Sequence, residues 1–288
     1  MCSEGWRMGW HERNGGNASY RLKAEEREEL AALLSAGEGA PVSAASDAAG
    51  ADAGSASVGA GCKAAPWTPL GLVAPGLAGE QLLVTATGSY FANIARCPEQ
   101  TLGVVELNGS GDAYRVVWGF EGGGRPTSEL AAHALIHEAK KAASCGASRV
   151  LYHCHPAPVV ALSHALPADA RMFTRLLWKM MTECVMVFPE GLGMVGCEVP
   201  GSMELARKTA EEARAHNAVV WAKHGLLATG STCDEAFGLM HVVVKAAEIY
   251  CEACVMAGGP DKVRPISDEE LAALACGLGV KLNEAFSA

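Results

Sequence analysis

Residues 148–156 read SRVLYHCHP, an apolar run that ends in two histidines spaced two apart. On a β-strand alternate side chains share a face, so His153 and His155 aim their imidazoles at one spot while Cys154 points away. Converging imidazoles suit a transition metal. Each supplies one nitrogen at ~2.1 Å, and a strand end leaves room for a further ligand and for substrate. The third ligand is expected at His224 in AVVWAKHGLLATG, where another apolar strand runs out into histidine ahead of a glycine. Strand ends with tight turns are where α/β sheets present ligands.

Glu129 follows a glycine-rich loop, GFEGGGRPTSE, and falls in the first turn of an expected helix. An acid is favourable at a helix N-terminus, and beside a metal it can also bind the ion or act as a base. Three loops have the composition of an anion site: RNGGNAS at 13–19, TATGSYF at 85–91 and PTS at 126–128. Their amides and hydroxyls together describe a phosphate cradle. None matches GxxxxGK[ST] or GxGxxG, so no nucleotide is expected.

The other histidines and thiols carry less. His133 and His137 lie one helical turn apart on the face of Glu129, but alanine follows His133, which removes the HExxH pattern of a zinc protease. His133 is placed near the metal and His137 at the surface. His11, His164, His216 and His241 have no partner spacing and are read as structural. Cys251 and Cys254 fall in an apolar helical pattern and read as packing thiols. Glu183 opens the apolar run ECVMVF, read as a strand, and takes no role from its surroundings alone.

These residues need a scaffold. Strands are expected at QLLVTAT, GVVELN, AYRVVWGF, ASRVLYHCH, ECVMVF, GMVGCEV, NAVVWAKHG and LLATG. Helices are expected over 23–35, from Pro126-Thr127-Ser128-Glu129 onward with Thr127 or Ser128 as the cap, over about 156–181, over 202–216 and over about 233–257. The alternation is α/β, and several links are too short for a parallel crossover, so the sheet is expected to be mixed with helices flanking it. The whole chain, 1–288, reads as one domain. Residues 36–65 are nearly all small, with too little apolar surface to offset their ordering entropy, and read as a low-complexity mobile insertion.

Composition bounds the partners. The formal charge is −9 with no basic stripe, which argues against nucleic acid and anionic membranes and leaves a small molecule as the ligand. No window approaches the ~20 apolar residues of a membrane span and the N-terminus has no signal region, so a cytoplasmic address is expected. Eleven cysteines, mostly inside apolar segments, fit reduced thiols better than a disulfide framework.

GWHERNGGNASYRL, GRPTSELAAH, RVLYHCHPAPVVALS, FTRLLWKMMTECVMVFPEGLG, WAKHG and DEAFGLMHVVVKAAE, in this order, resemble the class II aldolase/adducin family. The resemblance covers about 5–22 and 66–282 and leaves the small-residue segment outside. It implies a three-layer α/β/α fold around a central mixed, mainly antiparallel sheet, assembled as a homotetramer with active sites at subunit contacts. It also implies one Zn²⁺ per subunit on His153, His155 and His224, with Glu129 as acid/base. The phosphate of a sugar-phosphate substrate would sit against Asn14, Gly15, Asn17, Thr87, Gly88, Thr127 and Ser128, with Ser89 an alternative to Thr87. Glu183 would reach a neighbouring subunit's site. The implied reaction is reversible aldol cleavage of a ketose 1-phosphate to dihydroxyacetone phosphate and an aldehyde. A fuculose- or ribulose-phosphate enzyme of the family, an epimerase among them, would share the histidines. A zinc hydrolase also begins with HxH on a strand, but it needs more downstream ligands. Only a handful of residues precede the GWHERNGG motif, where the family usually has a helix.

Overall fold

The computed structural model describes residues 1–36 and 65–286. The insertion expected over 36–65 falls outside them apart from its two end residues. In chain order the elements are α1 (Cys2–Arg7), β1 (Asn17–Arg21), α2 (Ala24–Ser35), β2 (Thr68–Pro69), β3 (Gln81–Thr85), α3 (Pro98–Thr101), β4 (Leu102–Leu107), β5 (Ala113–Gly119) and α4 (Leu130–Ala143). They continue with β6 (Val150–Cys154), α5 (Ala157–Ala165), α6 (Ala170–Trp178), α7 (Glu183–Val187), β7 (Gly193–Val195), α8 (Met203–Glu212), β8 (Ala218–Trp221), β9 (Gly225–Gly230), α9 (Cys233–Ala257) and α10 (Asp268–Leu278).

The nine strands form one sheet in the order β2-β5-β4-β3-β1-β6-β9-β8-β7. Only β7 and β8 run parallel; the other pairs are antiparallel, as expected of a mixed, mainly antiparallel sheet. Strand alternation splits the core into two layers. Leu151, Val219 and Leu227 face Ile136 of α4 and Leu205 of α8. Tyr152, Cys154, Val220 and Leu226 face α5, α6, α7, α9 and α10 through Leu162, Phe173, Cys184, Met240 and Leu271. Three layers, α/β/α, result.

The longest helix, α9, has clear stops. Thr232 Oγ1 accepts the Glu235 N–H at its start, and left-handed Gly258 ends it while the Gly259 N–H reaches the Cys254 carbonyl. Four expectations change. ECVMV is not a strand but the helix α7, whose Cys184 and Val185 press into the core while Glu183 stays exposed; so short an apolar run has no readable period. His137 is not at the surface: His133 and His137 lie on the α4 face turned to the sheet, each about 1% exposed. The helix after the glycine loop starts at Leu130 with Glu129 at its N-cap position and no side-chain cap; Thr127 Oγ1 accepts the Glu129 N–H instead. Ahead of the GWHERNGG motif, Cys2–Arg7 form a short helix, α1.

Candidate metal centre

β1, β6 and β9 are neighbours at the middle of the sheet, with His153 paired to Asn17 on one side and to Leu227 on the other. The register puts His153 on the α4 face, and His155 follows it one step beyond the strand. His224 arrives from the β8–β9 hairpin, in a turn closed by its own N–H to the Trp221 carbonyl. Lys223 in that turn is left-handed at φ 64°, uncommon outside glycine, and its N–H is held by Ser163 Oγ at 2.7 Å. The close approach of β9 to β6 depends on Gly225, where a Cβ would stand 2.4 Å from the Cys154 carbonyl oxygen and 2.9 and 3.0 Å from the rings of His155 and His153.

The three imidazoles therefore converge. Their ring centroids are 4.9 to 5.0 Å apart, and one nitrogen from each lies within 4.8 Å of the others. Hydrogen positions follow from the partners. His153 Nδ1 faces the Leu226 carbonyl at 3.1 Å and must donate. His155 Nδ1 faces Glu12 Oε1 at 2.6 Å and donates to it; burial pulls the Glu12 carboxyl up, but this hydrogen bond and the neighbouring histidines outweigh it and leave it below its ordinary value. Both Nε2 atoms are then bare, and they stand 3.2 Å apart. Two lone pairs at that distance repel each other unless a cation lies between them. His224 adds a buried Nδ1 that has no hydrogen-bond partner. Burial holds His153 well below its ordinary pKa and His224 down to about 4, so neither is protonated near neutrality. Trp221 walls the group, its ring 4.2 Å from that of His153. Imidazole nitrogens converging on one spot fit a transition metal.

Glu129 is tied to this group through Asn17, whose Nδ2 donates to Glu129 Oε2 at 2.8 Å. Burial raises the Glu129 pKa, opposed by that hydrogen bond and by His155. Asn17, expected at the phosphate, has a side chain that instead bridges Glu129 and His133, with Oδ1 2.6 Å from His133 Nε2. The second and third loops expected at the phosphate do come together. Thr87 N–H donates to the Arg125 carbonyl and Thr127 N–H to the Thr85 carbonyl, and Thr87, Thr127 and Ser128 line one pocket of about 360 Å³. Gly88 turns this loop at φ 72°, and the Ser89 hydroxyl is engaged by the Ala86 carbonyl. In the first loop Asn14 is exposed, and Gly15 and Gly16 pass over His11, whose Nδ1 donates to the Gly15 carbonyl. Gly16 is left-handed, and a Cβ there would meet His11 Nδ1 at 2.5 Å and the His153 carbonyl oxygen at 2.6 Å. Glu183 lies on the opposite face of the sheet, exposed, with the Thr182 hydroxyl as its partner; one chain does not bring it to the imidazoles.

A profile described as "Class II Aldolase and Adducin N-terminal domain" matches residues 50–251. The chain belongs to this family. It is similar to a rhamnulose-1-phosphate aldolase of Yersinia pestis (strain Pestoides F), 38% identical over 95% of this chain and 89% of that protein. Among solved structures it is similar to a sugar-phosphate aldolase from Thermotoga maritima, with a TM-score of 0.66 and 25% identity over 88% of this chain and 92% of that one. An L-fuculose-1-phosphate aldolase from Thermus thermophilus shares the fold at a TM-score of 0.51 and 18% identity, covering 89% and 92% of the two chains. The enzyme is thus a class II aldolase, a lyase of a metal-dependent class.

Two residues of this class II aldolase site escape the sequence reading. Glu12 is the carboxylate on His155; it stands two residues after Trp10 in a loop read only for its asparagines and glycines. Arg125 lines the pocket of Thr87, Thr127 and Ser128. It directly precedes the PTS motif, a position that composition alone does not distinguish. Among the described residues no helix is long and apolar enough to cross a membrane.

Proposed function

We propose that the enzyme reversibly cleaves L-rhamnulose 1-phosphate to dihydroxyacetone phosphate and L-lactaldehyde, with one Zn²⁺ per subunit held by His153, His155 and His224. The observation that carries this reading is the convergence of one ring nitrogen from each of His153, His155 and His224 within 4.8 Å of one another, the Nε2 atoms of His153 and His155 standing 3.2 Å apart. The 38% identity to a rhamnulose-1-phosphate aldolase supports the choice of substrate within the family. When bound, the zinc supplies a Lewis acid for the C2 ketone.

The chain's own groups do the rest. Thr87, Gly88, Thr127 and Ser128, with Asn14 and Gly15 of the first loop, receive the phosphate and fix the ketone's distance from the imidazoles, where an ångström of misplacement costs ~100-fold. As the C3–C4 bond breaks, the electron pair stays on the dihydroxyacetone fragment and Glu129 delivers a proton to C3. Burial, which raises the Glu129 pKa, suits a carboxyl that must both hold and release that proton. Glu183 of a neighbouring subunit takes the C4 hydroxyl proton as the aldehyde forms. A cytoplasmic homotetramer is the assembly proposed.

A panel of ketose 1-phosphates, assayed for dihydroxyacetone phosphate release with zinc content measured on the same protein, tests the reading. Expected are about one zinc per chain and highest kcat/KM with L-rhamnulose 1-phosphate. Preference for fuculose or ribulose phosphate, or epimer formation without cleavage, would reassign the substrate; a zinc-free protein after metal-replete expression would remove the mechanism.

A further inference from the structure

Beneath the site runs a buried polar ladder of which the mechanism uses only Glu129. Three residues of the α4 register, Glu129, His133 and His137, alternate with Asn17 and Ser19 of β1. His137 Nε2 is 2.8 Å from Ser19 Oγ, Ser19 Oγ is 2.6 Å from His133 Nδ1, His133 Nε2 is 2.6 Å from Asn17 Oδ1, and Asn17 Nδ2 is 2.8 Å from Glu129 Oε2. The two series keep step because four residues of helix rise about 6 Å and two residues of strand rise about 6.7 Å.

In the ionised state of Glu129, in which it takes up a proton, each bond has one direction. With Glu129 ionised, the Asn17 amide faces it with Nδ2, which leaves Oδ1 as an acceptor toward His133. His133 Nε2 must therefore carry the hydrogen. The ring is buried on all sides and its pKa falls to about 4, so it is neutral and Nδ1 is bare. Ser19 gives its single hydroxyl hydrogen to that Nδ1, and must then accept from His137 Nε2–H. Burial, with the nearby Arg21 guanidinium adding to it, also keeps His137 neutral. All four bonds point at the Glu129 carboxylate. Without a donor on Oδ1 the Asn17 amide is free to turn its oxygen toward Glu129, which repels the carboxylate.

We propose that His133 is a positioning residue: its Nε2–H locks the Asn17 amide so that Nδ2 holds the Glu129 carboxylate in the orientation needed for proton transfer at C3. The inference rests on the reading of Glu129 as acid/base given above.

Two substitutions separate the role from packing. In side-chain geometry a glutamine amide nitrogen takes the place of histidine Nε2, and an asparagine amide takes that of Nδ1. His133→Gln keeps the donor to Asn17; His133→Asn keeps a partner for Ser19 and loses that donor. The assay is exchange of the C3 hydrogen of dihydroxyacetone phosphate with D₂O, using zinc-loaded enzyme with thermal midpoint and zinc content recorded. His133→Asn is expected to lower kcat on the order of 10- to 100-fold with KM nearly unchanged, and His133→Gln to restore most of it. Equal losses in both variants, or none in His133→Asn, overturn the proposal. Crystal structures of the two variants give a readout independent of turnover: the Asn17–Glu129 contact of 2.8 Å opens in His133→Asn and stays closed in His133→Gln. If Glu129→Gln exchanges at the native rate, the role of Glu129 fails while these structures still judge the ladder. Should His133→Asn not fold, ¹H–¹⁵N correlations on the native protein decide: both His133 and His137 must be neutral with hydrogen on Nε2, and either ring protonated on Nδ1 overturns the assignment.

Discussion

At the scale of a single side chain, this site is a matter of which ring nitrogen carries hydrogen. His155 offers Nε2 to the centre because Glu12 claims its Nδ1–H at 2.6 Å, and His153 does so because the Leu226 carbonyl claims its own. A carboxylate behind a ligating imidazole fixes its tautomer and raises its basicity, and removing such a partner costs roughly 10- to 100-fold in metal affinity. Glu12 has a side chain 65% exposed, so water replaces part of what it gives. Glu12→Ala is therefore expected to weaken zinc binding roughly tenfold, the low end of that range, as read by competition with a chelator. Unchanged affinity would reduce the Glu12–His155 contact to an ordinary surface pair.

At the scale of elements, sequence and structure agree where burial is one-sided and apolar. β6 and β9 are legible as runs of buried apolar residues ending at glycine or histidine, and α9 is legible from its period and its caps. β1 is not. Its inward side chains are Asn17, Ser19 and Arg21, all buried and all polar, because they face the histidines of α4. As a pattern that strand resembles a loop, which is how RNGGNAS reads. For the same reason His137, polar and on a helix, reads as surface until Ser19 appears opposite it. The proposed ligands His153 and His155 are legible because a period of two needs only the strand; the polar ladder is not, since it needs two elements in register. The element most exposed to error is the start of β9. Gly225→Ala would press a methyl group against the Cys154 carbonyl, which cannot swing away, and against both histidine rings. Overpacking of this kind costs about 1–3 kcal/mol. The thermal midpoint is expected to fall by several degrees and zinc affinity to drop with it, measured by calorimetry and metal titration. Native values for both would show that the two strands can separate without cost.

At the scale of the whole molecule, one proposed catalytic carboxyl lies where one chain cannot use it. Glu183 opens α7 on the layer opposite the imidazoles, and exposed large apolar side chains lie near it: Met186 of α7 is 54% accessible, and Leu278, which lines one pocket with Thr182, 46%. Clusters of exposed large apolar side chains mark contact surfaces, which supports an assembly in which α7 of one subunit meets the site of the next. Sharing of this kind has a numerical consequence. Glu129→Gln and Glu183→Ala variants are each expected to be nearly inactive in cleavage. When they are unfolded, mixed in equal amounts and refolded together, a site is intact only where a Glu183→Ala subunit supplies Glu129 and a Glu129→Gln subunit supplies Glu183. Random assortment gives half times half, so about a quarter of native activity returns, because each closed, cyclic contact pairs two independent draws. The mixture is assayed beside each parent refolded alone, with hybrid oligomers counted by native mass spectrometry. If hybrids form and activity stays at the mean of the parents, Glu183 does not act across a subunit contact; if Glu183→Ala alone retains native turnover, it has no part in the reaction.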